Sequence, residues 1–216
     1  MNPLSSTART RLGRLPERSS TDRSVLYEIL DDGMICHLGL IVDGSPRVIP
    51  TGYGRLDDTL YLHGSTGASS LRAGPSQDIC VTVTHLDGLV LARSLFHHSI
   101  NYRSAVVYGT PRLADDPEEK LTGLRVITEQ LTPGQWDVAR RPNRKELAGV
   151  SVLALSLDEA SVKVRQGPPG DEDEDHALDV WAGVLPVTQA FGTPDPDPLL
   201  RPGIPIPGHI AQRVTS

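Results

Sequence analysis

Two Asp-Gly dipeptides set between apolar runs constrain this chain more than any other feature. The favoured two-residue hairpin turn needs positive φ at both central positions, and Asp-Gly supplies it at little steric cost. Asp43-Gly44 separates residues 34–42 from 47–53, and Asp87-Gly88 separates 79–86 from 89–94. The spacing predicts two antiparallel hairpins. Residues 59–63, 104–113, 150–157 and 161–165 read as further short strands. Residues 117–131 instead carry Leu121, Leu124 and Ile127 at helical spacing. A shorter helix is expected after Asp22 as cap, with Val25, Leu26, Ile29 and Leu30 on one face and Gly33 closing it at C′. Aromatics are 4% of the residues, against 20 Gly and 18 Pro, which disfavours coiled coils and long bundles. The expected class is mainly β with helical inserts, an antiparallel barrel of six or more strands.

The ends differ from the middle. Residues 1–20 are rich in Ser, Thr and Arg with few apolar side chains, so a flexible arm is expected there. Nine of the 18 prolines lie between residues 168 and 207, which makes 191–216 an expected irregular tail and leaves 21–190 as the folded domain. The net charge of −6 comes mostly from residues 171–175, Asp-Glu-Asp-Glu-Asp. The rest is close to neutral, so no nucleic-acid partner is expected. No apolar run approaches a bilayer span and the first residues lack a signal-peptide core, so no membrane partner and a cytoplasmic location are expected. Cys36 and Cys80 sit in apolar runs without CxxC spacing, as reduced, packed thiols would.

Three segments could carry chemistry. His63-Gly64-Ser65-Thr66-Gly67-Ala68-Ser69-Ser70-Leu71-Arg72 runs from a strand into a short helix, and its glycines, hydroxyls and free amides suit a phosphate. An ordinary capped turn has the same composition. Arg93 to Ser104 is a polar loop containing His97, His98, Asn101, Tyr102 and Arg103, which suits a planar heterocycle plus a phosphate. Adjacent residues of an extended segment face opposite ways, and the histidines show no HExxH-like spacing, so no metal site is expected. Gly64-Ser65-Thr66-Gly67 is not a GxSxG elbow, and no nucleophile follows from it. Trp181, in Val180-Trp181-Ala182-Gly183-Val184-Leu185-Pro186, could cover a flat ligand or plug the barrel end.

Taken in order, Asp22 to Tyr27, Val48 to Gly54, Leu60 to Ser65, Phe96 to Ser104 and Val180 to Pro186 resemble the pyridoxamine 5′-phosphate oxidase-related flavin-binding split barrels, including the nitroimidazole-resistance branch. The resemblance spans about residues 21–188. It implies a six-stranded split barrel that forms a homodimer, with FMN in a groove between subunits. Ile49, Pro50 and Thr51 match the strand along the flavin ring, and His63, Gly64 and Ser65 the strand end beside the ring and ribityl chain. Ser69 and Ser70 fall where the family commonly carries a basic phosphate clamp, so Arg72, Arg103 or a partner residue must supply the charge, with Arg103 expected as the main one. His98, Asn101, Tyr102, Arg103 and Ser104 match the loop and strand start facing the cofactor, and Trp181 an aromatic that closes the site. The implied activity is FMN-dependent oxidoreduction of a small flat or nitro-aromatic substrate, with NAD(P)H as candidate electron donor and no dedicated catalytic residue. A protein of the same fold that only binds or carries flavin, pyridoxal phosphate or haem is the alternative.

Overall fold

The first Asp-Gly pair turns as its conformation requires, with φ of 51° at Asp43 and 73° at Gly44. The computed structural model describes residues 3–214. In it the turn joins β2 (Ile35–Val42) to β3 (Ser45–Leu56), preceded by β1 (Ser19–Ser20) and α1 (Arg23–Asp32). There follow β4 (Thr59–Ser65), α2 (Ser69–Ala73), β5 (Ile79–Leu91), β6 (Ser99–Gly109), β7 (Arg112–Leu113), α3 (Pro117–Leu131), β8 (Val150–Ser156), β9 (Ala160–Arg165) and β10 (Gly183–Pro186). The strands run β1-β9-β6-β5-β2-β3-β4-β8-β7, with β10 also on β5. The two ends of that path do not pair with each other, so the barrel is split. The mainly β class holds, with ten strands among the described residues rather than six.

Alternation explains the core. On β2 the odd positions 35, 37 and 41 are exposed, while Cys36, Leu38, Leu40 and Val42 are buried. These pack with Leu60, Leu62, Val81, Val83 and Leu153 inside the barrel. Each such side chain contributes roughly 1.5–3 kcal/mol on burial. α1 closes one end with Leu26, Ile29 and Leu30, and Asp22 caps it by accepting from the Ser24 amide at 2.9 Å. Gly33 follows this helix for a different reason than the expected left-handed closure, since its φ is −84°. A Cβ there would lie 2.2 Å from the Tyr53 hydroxyl, so close approach is what requires glycine. α3, capped by Asp116, lies over the C-terminal part of β3, where a Cβ on Gly54 would meet the Val126 carbonyl at 2.6 Å.

The second Asp-Gly pair does not turn. β5 continues through it as one strand, and the register against β6 shifts between Leu86 and Gly88, leaving Asp87 as the extra residue of a bulge. Neither residue has positive φ. Both edges of β5 are taken at this point, by β6 on one side and β10 on the other, which removes any reason for the chain to fold back.

Residues 3–20 differ from a free arm. Leu4 is buried, Ser19 and Ser20 pair with Lys163 and Val162, and Arg9 bonds Asp78 at 2.6 Å and Glu159 at 2.5 Å. A sparse set of apolar residues is enough because β9 offers an unpaired edge. The tail is tied back near its end, where Arg213 stacks on Phe191 and donates to the Leu131 carbonyl at 2.7 Å. Among the described residues no helix is long and apolar enough to cross a membrane.

Candidate functional site

β2 pairs with β5 only through residues 80–82 of β5, and β10 takes the same edge only at 88–91. The stretch between, residues 83–87, has no strand partner on that side, and a cleft of about 840 Å³ opens there. Met34, His37, Pro50, Thr84, Asp87 and Arg103 line it. An unpaired strand edge presents backbone N–H and C=O groups in a fixed row, which can read the polar rim of a planar ligand.

The cleft wall is built from the C-terminus of α1. Such an end leaves carbonyls without intrahelical partners. Gln130 of α3 donates to the carbonyls of Leu30, Asp31 and Gly33 at 3.0, 2.7 and 2.7 Å, Tyr53 donates to that of Leu30 at 2.6 Å, and His85 Nε2 lies 2.9 Å from that of Ile29. Arg103 bonds Asp32 at 2.7 Å and Asp87 at 3.1–3.4 Å. These bonds, Asp87 first, raise the Arg103 pKa above its usual value. One guanidinium between two carboxylates leaves the cluster net negative. Arg103, expected as the main positive charge at the flavin, is thus already held by two carboxylates of this chain. The bulge is what aims Asp87 at it.

The other expected residues separate into groups. Ile49 and Thr51 are registered against Leu38 and Cys36 on the inner face, so of that triplet only Pro50, opposite His37, turns outward to the cleft. Tyr102 and Ser104 share the outer face of β6 while Arg103 points the other way, because successive strand residues alternate. Asn101 is buried and donates to the Gly167 carbonyl at 3.1 Å. His98 Nδ1 lies 3.2 Å from the Ser94 carbonyl. Trp181 is exposed and does not line the cleft.

Gly64, Ser65, Ser69 and Ser70 form a second group at the start of α2. Ser65 accepts from the Gly67 amide at 3.2 Å, Ser69 is exposed and Ser70 is buried. Arg72, in the last turn of α2, is exposed and makes no ion pair among the described residues. His63 has a buried Nδ1 without a hydrogen-bond partner, and burial lowers the pKa of its ring. The ring is therefore neutral at pH 7.

Asp32, Asp87, Met34, His37 and Gln130 were not expected here. Only Asp87 had a sequence signal, and it pointed to a turn. Asp171 behaves unlike its acidic neighbours, with a side chain only 1% exposed that accepts from the amides of Arg93 and Ser94 at 2.9 and 3.2 Å. Burial alone would raise its pKa, but those amides and the Arg93 guanidinium hold it below the usual carboxylate value.

The pyridoxamine 5′-phosphate oxidase family model matches residues 22–164. Among solved structures, the flavocytochrome Anf3 from Azotobacter vinelandii is 38% identical, with 98% of this chain and 99% of that chain covered and a TM-score of 0.92. A FAD and heme binding protein from Mycobacterium smegmatis is 39% identical over 91% of this chain and 97% of that one, with a TM-score of 0.87. A nitroimidazole-resistance candidate from Bacteroides thetaiotaomicron is 24% identical over 68% of this chain and 86% of that one, at TM-score 0.57, and supports the fold alone. No curated protein matches the chain.

Proposed function

The chain belongs to the pyridoxamine 5′-phosphate oxidase family, and from that premise we propose that it is a flavin-binding redox protein whose second group is haem. One observation carries this reading. The likeness to the Anf3 flavocytochrome covers 98% of the chain and so extends well past residues 22–164 at both ends. The nitroimidazole-resistance likeness covers only 68%, and the nitro-aromatic substrate expected from the sequence has no further support.

The residues present suit both groups. The unpaired β5 edge at 83–87 offers backbone donors and acceptors to a flavin ring, with Met34 and Pro50 as apolar walls. Outside the cleft, the exposed Ser65, Ser69 and Arg72 are the residues we assign to a phosphate. A monoester such as FMN carries close to two charges on one phosphate, whereas the two phosphates of FAD carry about one each. The total is close to two negative charges in either case, so one cation beside neutral hydroxyls serves FMN, the expected form, and FAD alike. For haem iron the available donors are imidazoles that accept no other proton. His37, in the cleft, makes no hydrogen bond among the described residues, and His63 has its unpartnered Nδ1. A flavin supplies two-electron chemistry and a haem one-electron chemistry.

The absorption spectrum of purified protein, after addition of flavin and haemin and removal of excess, tests this directly. Flavin bands together with a Soret band are expected, and mass spectrometry of the released flavin separates FAD from FMN. Arg72→Gln should raise the flavin dissociation constant about ten- to a hundredfold, the cost of a charge-assisted phosphate contact. Arg103→Gln should change it less. A protein that retains neither chromophore overturns the reading, and a reversed order of the two arginines overturns the phosphate assignment.

A further inference from the structure

The helical insert between β7 and β8 holds a second cavity. After α3 the chain forms two short helices, α4 (Gln135–Val138) and α5 (Arg144–Ala148). Glu129 of α3 fixes the first, accepting from the amides of Gly134 and Trp136 at 2.8 and 2.9 Å. Asn143 and Glu146 fix the second by a capping box, in which each side chain accepts from the other's amide. Between α3 and these helices lies a cavity of about 320 Å³, walled by Leu124, Thr128, Trp136, Ala139 and Pro142. It shares no lining residue with the cleft along β5. Its size is at the small end for ligand sites and gives room for one substituted aromatic ring.

Two exposed arginines complete the lining, and they differ in what they have left to give. Arg140 is fully engaged. Its terminal nitrogens bond the Glu146 carboxylate at 2.7 and 3.0 Å, and one of them also donates to the Arg141 carbonyl at 2.8 Å. Arg141 is held in place but hardly used. Its guanidinium lies over the Trp136 ring, 4.6 Å from the centroid, and among the described residues only Nη2 donates, to Asp137 at 3.1 Å. That pair joins two exposed side chains one helical turn apart, a contact that contributes little and yields readily to another carboxylate. Trp136 bonds through its backbone amide, which leaves the indole Nε1 as a further donor among the described residues. Residues 137–146 carry Arg140, Arg141, Arg144 and Lys145 against two carboxylates, so this corner is positive in a chain of net charge −6.

We propose that this cavity binds a small aromatic carboxylate, with its ring among Leu124, Trp136 and Pro142 and its carboxylate on the free edge of the Arg141 guanidinium. The stacking on Trp136 already fixes that guanidinium, so little freedom is lost when two of its N–H groups take a carboxylate side by side. An indole wall suits an aromatic ring in offset or edge contact. One negative charge matches the one cation of the lining that is not fully engaged, whereas a cationic ligand meets the local surplus of arginine.

Fluorescence reads the site independently of what the cleft binds, because the chain has two tryptophans and Trp181→Phe leaves Trp136 as the only one. Benzoate added to the full chain with that substitution should change the emission along a saturating curve with a midpoint in the millimolar range or below. Benzylamine should give no saturating change. Arg141→Gln removes the charge and keeps hydrogen-bond donors, and should raise the benzoate midpoint about tenfold or more. Ala139→Phe fills the cavity while keeping Arg141, and should abolish saturation. Arg144→Gln, outside the lining, should leave the midpoint unchanged. Melting curves of all three variants should match the parent, since each site is exposed. An emission change that stays linear in benzoate, a midpoint unmoved by either Arg141→Gln or Ala139→Phe, or saturation by benzylamine overturns the proposal. Hexanoate binding as tightly as benzoate overturns the aromatic assignment.

Discussion

Asp43-Gly44 and Asp87-Gly88 are the same dipeptide between similar apolar runs, and the two sites do opposite work. The first reverses the chain, with both residues at positive φ and nothing within 4 Å of where a Gly44 Cβ would be. The second stays extended, and a Gly88 Cβ would lie 2.9 Å from Val184 and 3.1 Å from the Leu185 carbonyl. Glycine serves backbone conformation in one case and space in the other. The aspartates divide likewise. Asp43 is a turn residue, whereas Asp87 holds Arg103 at the cleft wall and its carbonyl accepts from the Val187 amide at 3.1 Å. A turn motif states what a dipeptide can do. Whether a strand waits at its edge decides what it does.

Substitutions at the two glycines should separate these roles. Gly88→Val carries the largest effect, because β10 must move to admit the side chain. Overpacking of this kind costs about 3 kcal/mol at its upper range. Thermal melting should fall, and protease cleavage between residues 178 and 190 should rise. A variant with parental melting and cleavage would mean that β10 is not seated on Gly88. Gly44→Ala meets no atoms and pays only for positive φ, about 1 kcal/mol. Its melting should fall modestly, with β10 protection unchanged. A larger loss at position 44 than at 88 would reverse the comparison.

The smallest effect concerns the tip that the second Asp-Gly strand carries. Asp171 has a folded pKa below its unfolded value, so the unfolded chain binds more protons as the solution turns acid. Its stabilisation is complete above about pH 4 and is lost as pH falls through the depressed folded value. Protection of the Arg93 and Ser94 amides, relative to the intrinsic exchange rate at each pH, should therefore hold at pH 5 and fall only below about pH 4. Asp171→Asn should exchange fast throughout, and slow exchange in that variant would remove Asp171 as the anchor.

Much of the fold was legible locally. The α3 range, the Asp22 cap of α1 and the first hairpin follow from spacing and caps within a few residues, which is where periodicity and turn chemistry act. The cleft was legible only in pieces. Pro50 and Arg103 were expected together and lie together, while Ile49, Thr51, Tyr102 and Ser104 face elsewhere because alternation divides any consecutive set. Trp181, expected over the site, is exposed at the far end of β10.

The amino-acid order by itself determined the strand-rich class, the helix ends and which residues of each strand face inward, since these depend on neighbours along the chain. Tertiary structure alone decided that the second Asp-Gly is a bulge, that Arg103 is spent on Asp32 and Asp87, and that a gap opens along β5. Those outcomes turn on β2, β10 and α1 arriving at one strand from positions far apart in the chain. No local propensity records which edges such encounters leave free.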